Sequence, residues 1–151
     1  MYSDDNRVVV SKKVDGEEAL LIREDKEYRT YPEDVGFEGF LARGISKYDE
    51  DFVVKGVYTE GVFVATDLYY HGESLVDRPW CERFLALKKQ FKFKPSVLRN
   101  GAIVVEDEGD LVDVFKAFES SPYFDGVYVF DYDAKVSDKR YYIDCSSVSV
   151  L

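Results

Sequence analysis

The hydrophobic period of this chain changes twice along its length, and that change limits the folds open to it. From Arg7 to Tyr70 the apolar residues come in short β-rich runs broken by turn residues: Arg7 to Val14, the pair Asp15-Gly16, Ala19 to Arg23, then Phe52 to Tyr58 and Gly61 to Tyr70, joined through Thr59-Glu60-Gly61. Asp-Gly between two such runs is a strong hairpin signal, because both residues tolerate the positive φ of a two-residue turn. After Pro79 the period lengthens. Trp80, Phe84, Leu87 and Phe91 recur at the spacing of one helix face, with Arg83, Lys88, Lys89 and Lys92 on the other sides. Ala102 to Val105 reads as a short strand. Asp110 then reads as the cap of a second amphipathic helix striped by Leu111, Val114, Phe115 and Phe118 and ended by Ser121-Pro122. Gly126 to Phe130, Arg140 to Cys145 and Val148 to Leu151 return to strand character. This order lacks a regular strand-helix-strand alternation, so it predicts an α+β fold with mainly antiparallel sheets and two amphipathic helices.

A chain of 151 residues buries one substantial core, and residues 1–151 are read as a single domain. The 12 Tyr and 11 Phe exclude a disordered chain. No apolar run approaches the ~18 residues of a membrane span. The segment from Met1 to Arg7 is polar and acidic where a signal peptide would be basic and then apolar, so an intracellular location and no membrane partner are expected. Cys81 and Cys145 have no metal or disulfide spacing. His71 is the only histidine, so no multi-His zinc site is available and no Ser-His arrangement is expected, and it is read as a surface turn residue.

The formal net charge of −10 opposes non-specific binding to a phosphate backbone. The basic residues are nevertheless clustered: Arg78, Arg83, Lys88, Lys89, Lys92, Lys94 and Arg99 stand against one acid, Glu82. A nucleic-acid contact is therefore expected on this helix, through Arg83, Lys88, Lys89 and Lys92, while the acidic remainder suits a protein partner.

Two stretches carry a resemblance. Lys13-Val14-Asp15-Gly16 has the form Lys-x-Asp-Gly followed by a hydrophobic strand. The run from Gly61 to Phe84 contains a hydrophobic strand, Asp67-Leu68, tyrosines, Gly72-Glu73-Ser74-Leu75, a proline and Glu82-Arg83 on a helix. Together with Ile103 to Glu108 and Asp125-Gly126-Val127-Tyr128-Val129-Phe130, this order resembles the catalytic domain of the covalent nucleotidyltransferases: ATP-dependent DNA ligases, RNA ligases and mRNA capping enzymes. The resemblance implies the ligase adenylation-domain fold, with ATP or GTP and Mg²⁺ as cofactors and nucleic-acid ends as partners. By position it makes Lys13 the nucleophile that attacks the α-phosphate. Asp15, Gly16 and Asp125 become nucleotide-binding positions, with Asp125 also a metal ligand, and Phe63, Tyr69 or Tyr70 supplies a ring against the base. A lysine nucleophile must first be neutral, which calls for burial or neighbouring cations.

The departures from that pattern bear on activity. Glu18 stands where the family keeps an arginine, Val57 where it keeps a glutamate after Gly56, and Phe130 where it keeps a lysine. The terminal lysine motif is replaced by Tyr142-Ile143-Asp144-Cys145-Ser146, and with the sequence running to Leu151 no oligonucleotide-binding-fold domain is expected. Each lost charge-stabilising donor costs about 2.7–4 kcal/mol of transition-state energy. The expectation is a reduced ligase-like domain that binds a nucleotide or a nucleic-acid end and transfers weakly or not at all; the alternatives are an active enzyme forming lysyl-AMP at Lys13, if Lys135, Lys139 or Arg140 supplies the missing cations, and a non-catalytic protein-interaction module.

Overall fold

The computed structural model describes residues 7–106, 108–119 and 124–143. Among them nine strands form two sheets. One has four strands in the order β7-β1-β8-β9, namely Ala102–Val105, Val8–Val14, Phe124–Asp131 and Tyr141–Ile143, all antiparallel. The other has five in the order β3-β2-β4-β5-β6, namely Glu27–Tyr31, Glu17–Glu24, Phe52–Thr59, Val62–His71 and Val97–Arg99. Its pairs are antiparallel except β5 with β6, which run parallel. Helix α1, Trp80–Gln90, packs on β5, and α2, Glu108–Glu119, covers the four-stranded sheet. The α+β class with mainly antiparallel strands and two helices is what the change of hydrophobic period predicts.

Asp15-Gly16 does not close a hairpin. It carries the chain from β1 in one sheet to β2 in the other, and these two strands do not pair. Gly16 is required by close approach: a Cβ there would lie 2.5 Å from the Tyr58 carbonyl oxygen and 2.8 Å from Val57 Cγ1. The true two-residue hairpins are Asp25-Lys26 between β2 and β3 and Glu60-Gly61 between β4 and β5, with φ of 52°, 69°, 47° and 84°. Three of those four residues are not glycine, so the first turn leaves almost no compositional trace and β3 goes unread in the sequence. Helix α2 begins at Glu108, so Asp110 sits inside its first turn, where a carboxylate complements the positive end of the helix dipole, instead of capping it. The strand expected at Val148 to Leu151 lies outside the described residues.

The largest core cluster lies between the five-stranded sheet and α1 and includes Leu21, Phe52, Phe63, Leu68, Leu87 and Val97. A second joins Val10, Val105 and Val127 to Val114 and Phe118 of α2. Val14, Val57 and Val64 form a third where the two sheets meet. His71 is buried, not a surface turn residue: its Nδ1 lies 2.6 Å from Gln90 Oε1, its Nε2 lies 3.1 Å from Ser46 Oγ, and its ring packs on Phe91. No described helix is long and apolar enough to cross a membrane.

Candidate functional site

Where β1 leaves its sheet, the two sheets diverge and enclose a cleft of about 260 Å³. Ser11, Lys12 and Lys13 of β1 line it together with Asn100. One wall comes from β2, β4 and β5, the other from Tyr128 and Phe130 of β8, and Ala134, Lys135, Val136, Asp138 and Arg140 complete the described lining.

The pairing of β1 with β8 places Lys13. Lys12 pairs with Val127 and Val14 with Phe124, so Lys13 faces the two-residue bulge Asp125-Gly126. Gly126 takes φ 118°, a value closed to most side chains. Two positions read separately in the sequence, Lys13 and Asp125, are thereby brought across from each other by backbone register; the Asp125 side chain lies outside the described residues. Lys13 Nζ lies 5.5 Å from the centroid of Tyr142. Next to it, burial lowers the pKa of the Lys12 ammonium from its ordinary value.

The other wall is shaped by two bulges in β5. Against β4, Val53 pairs with Tyr70 and Val54 with Leu68, then Lys55 pairs with Asp67 and Gly56 with Ala65. The skipped residues are Tyr69 and Thr66, and both line the cleft. A bulge resets the alternation of faces, so it aims side chains where strict period two would not. Burial raises the pKa of the Tyr69 phenol, and the nearby Asp67 charge adds to the shift.

Asp67 and Arg83 both line the cleft and are joined to each other. Arg83 is only 3% exposed. Its Nε donates to Asp67 Oδ1 at 2.8 Å and its Nη2 to Asp67 Oδ2 at 3.0 Å, while Nη1 donates to the carbonyls of Arg78 and Ala134 at 2.6 and 2.7 Å. Helix α1, strand β5 and the segment after β8 are thus tied by one guanidinium. Trp80 reinforces the joint, with its ring 5.7 Å from Phe130 and 6.1 Å from Tyr132.

The cleft is lined by six cationic side chains, Lys12, Lys13, Lys55, Arg83, Lys135 and Arg140, against the carboxylates Glu18, Asp67 and Asp138. Asp67 is engaged by Arg83, and Glu18 lies 3.7 Å from Lys55 Nζ. A positive cleft in a protein of net charge −10 is suited to a phosphorylated ligand. Among the described residues no three His, Cys, Asp or Glu side chains gather as a metal site. Mg²⁺ on a nucleotide needs only one or two carboxylates beside the phosphates. Among the described residues, Glu18 and Asp138 are the cleft carboxylates outside the Arg83 pair, Asp138 Oδ2 accepting from the Lys135 backbone N–H at 2.8 Å, and each has the oxygen chemistry such an ion takes.

Of the positions read from the sequence, Lys13, Gly16 and Tyr69 line the cleft. Asp15 is exposed beside it. Phe63 is fully buried, with its ring 5.6 Å from Phe37, so it serves the core and has no face to offer a base. Tyr70 is exposed and bridges Ser74, away from the cleft. Arg83 is separated from the nucleic-acid group because it falls on the buried face of α1, whereas Lys88, Lys89 and Lys92 are exposed. Lys135 and Arg140 reach the cleft, and Arg140 Cζ lies 4.5 Å from the Tyr128 centroid. Lys139 lies over Tyr141 instead, and Asp144, Cys145 and Ser146 are outside the described residues. Lys55, Thr66, Asn100 and Tyr128 line the cleft without having been singled out in the sequence. Only Tyr128 carried a signal, as part of the Asp-Gly-Val-Tyr-Val-Phe run.

No family model matches the chain, and no curated protein shows significant similarity. Solved structures do match. Pmar-Lig_PreS3 superimposes with a TM-score of 0.61 at 14% identity over 93% of this chain and 43% of its own. A Lig E DNA ligase, from a structure-function study of DNA binding with a minimal scaffold, gives 0.58 at 14% over 91% of this chain and 61% of its own. This chain therefore spans less than two thirds of each, and the likeness is one of fold.

Proposed function

We propose that the cleft binds a nucleoside triphosphate, ATP or GTP, with Lys13 as the nucleophile of a slow, ligase-type nucleotidyl transfer, and that the exposed lysines of α1 engage a nucleic-acid end. The observation that carries this reading is the register that sets Lys13 opposite Asp125-Gly126, with Lys13 in the lining of a cationic cleft.

In the proposed step, neutral Lys13 Nζ attacks the α-phosphate, a P–N bond forms, the P–O bond to pyrophosphate breaks, and the surplus proton on the nitrogen passes to solvent. Tyr69 is the described ring of the cleft that was read as a base platform. Lys135 and Arg140 are cations available to the departing pyrophosphate, in place of the lysines that Phe130 and the Tyr142 to Ser146 segment lack. Both are exposed, so each gives less than a pre-placed buried donor, and transfer is slow. Bound Mg²⁺, held by Glu18 or Asp138 and the phosphates, would supply charge neutralisation.

The test is incubation with α-labelled ATP or GTP and Mg²⁺ followed by denaturing electrophoresis. A faint covalent label is expected, lost in Lys13→Ala, retained in Lys12→Ala and weakened in Arg140→Ala. A label that survives Lys13→Ala and disappears in Lys12→Ala would transfer the role to the neighbouring residue. Absence of both a label and measurable nucleotide binding refutes the reading.

A further inference from the structure

Strand β9 is an outer strand of the four-stranded sheet, and its register sets two tyrosines side by side: Tyr128 of β8 pairs with Tyr142 of β9. Directly paired residues of antiparallel strands project from the same face, and these two rings meet with their centroids 5.8 Å apart. Tyr128 lines the cleft, whereas Tyr142 is 46% exposed. Nearly half of an aromatic side chain is thus left in water beside the cleft lining.

The charges around these rings are positive. Arg140 Cζ stands 4.5 Å from the Tyr128 centroid and Lys13 Nζ 5.5 Å from that of Tyr142, both within the reach of a cation–π contact. Lys139 Nζ lies 4.9 Å from the centroid of Tyr141, the exposed ring next along β9. The carboxylate beside them in the sequence, Asp138, accepts from the Lys135 backbone N–H. Phosphate alone would account for the cations and leave the rings without use. An apolar protein segment would account for the rings and oblige three cations to lose water. An unpaired polynucleotide accounts for both, because its bases are free to stack on a ring while its phosphates meet the cations. A duplex does not, since its bases are already stacked on one another.

We infer that Tyr142, paired with Tyr128, is a stacking platform for an unpaired base, so that the nucleic acid this protein takes presents a single-stranded end beside Lys13. The inference rests on the reading of a nucleic-acid partner. It adds a place and a strandedness that the lysines of α1 do not supply, since phosphate contacts carry no information about the base.

Binding is measured by fluorescence anisotropy, without nucleotide, for a labelled oligothymidylate, an abasic chain with the same number of phosphates, and a blunt duplex of the same length. The oligothymidylate is expected to bind most tightly. Tyr142→Leu should lower its affinity by about 5- to 150-fold, the worth of one base stacked on an aromatic ring, without changing the salt slope and without affecting the abasic chain. Arg140→Gln should instead lower the slope by about 0.7, the value for one phosphate of a single strand. Tyr142→Trp, which keeps a ring, should bind at least as well as the wild type, and it and the wild-type ligand series are read independently of whether Tyr142→Leu folds. Equal wild-type binding of the oligothymidylate and the abasic chain, an unchanged affinity in folded Tyr142→Leu, or a loss that the abasic chain shares overturns the inference while leaving the nucleic-acid reading intact. Self-association of the wild-type chain that Tyr142→Leu abolishes gives this face to a second copy and also overturns it. No binding of any of the three nucleic acids overturns both.

Discussion

Replacing Arg83 by methionine should destabilise the protein by about 3 kcal/mol, at the lower end of the roughly 3–5 kcal/mol lost when one member of a buried ion pair is removed. The lower end applies because the Asp67 side chain is 18% exposed and recovers some hydration. Methionine replaces the aliphatic stem, so the loss comes from the guanidinium: two bonds to the Asp67 carboxylate and two to the carbonyls of Arg78 and Ala134. Urea unfolding monitored by Trp80 fluorescence reads it directly. With a slope of about 1–3 kcal/mol/M for a chain of this size, the midpoint should fall by about 1–3 M without a change in slope. Arg83→Lys should recover only part of the loss, since an ammonium cannot span both carboxylate oxygens and two carbonyls at once. In a double-mutant cycle Asp67→Asn should cost much less in the Arg83→Met background than in the wild type. A loss below about 1 kcal/mol for Arg83→Met, or additive costs in the cycle, would refute the assignment of Arg83 as the tie between helix and sheets.

Three other outcomes are expected. Lys88→Gln, Lys89→Gln and Lys92→Gln together should weaken binding to duplex DNA and reduce the salt slope by about 0.9 for each phosphate no longer neutralised; an unchanged slope would remove α1 from the interface. Lys12 keeps its ordinary value of 10.5 in the unfolded chain and a lowered one when folded, so between the two the unfolded chain binds more protons and stability rises with pH. Relative to wild type, Lys12→Met should be more stable at neutral pH and lack that alkaline rise, as read from urea midpoints from pH 7 upward. Gly16→Ala should cost about 1–3 kcal/mol, because its Cβ would press on the Tyr58 carbonyl oxygen and Val57; a neutral result in the same unfolding assay would refute the close-packed corner.

The signals that can be read along this chain are those whose cause lies within a few residues. The helical spacing of Trp80, Phe84, Leu87 and Phe91 places α1, the β-rich runs place β1, β2, β4 and β5, and Lys13-x-Asp-Gly together with Asp125-Gly126 marks the two segments that register brings across from each other. Hydrophobic period and turn chemistry act locally, so sequence alone determines the α+β class and the positions from which a site can be built. Tertiary structure decides what those positions do. Arg83 reads as one of a row of helix cations until β5 presents Asp67 to it. Tyr69 and Tyr70 are equivalent in composition, and only the bulge against β4 sends Tyr69 into the cleft. Asp15-Gly16 reads as a hairpin turn, yet the approach of Tyr58 makes it the corner between two sheets. Asn100 meets Ser11 across 89 residues of chain. Each of these outcomes depends on which backbone lies alongside which, and that is settled by burying the faces of two sheets at once, a condition that no local window of residues contains.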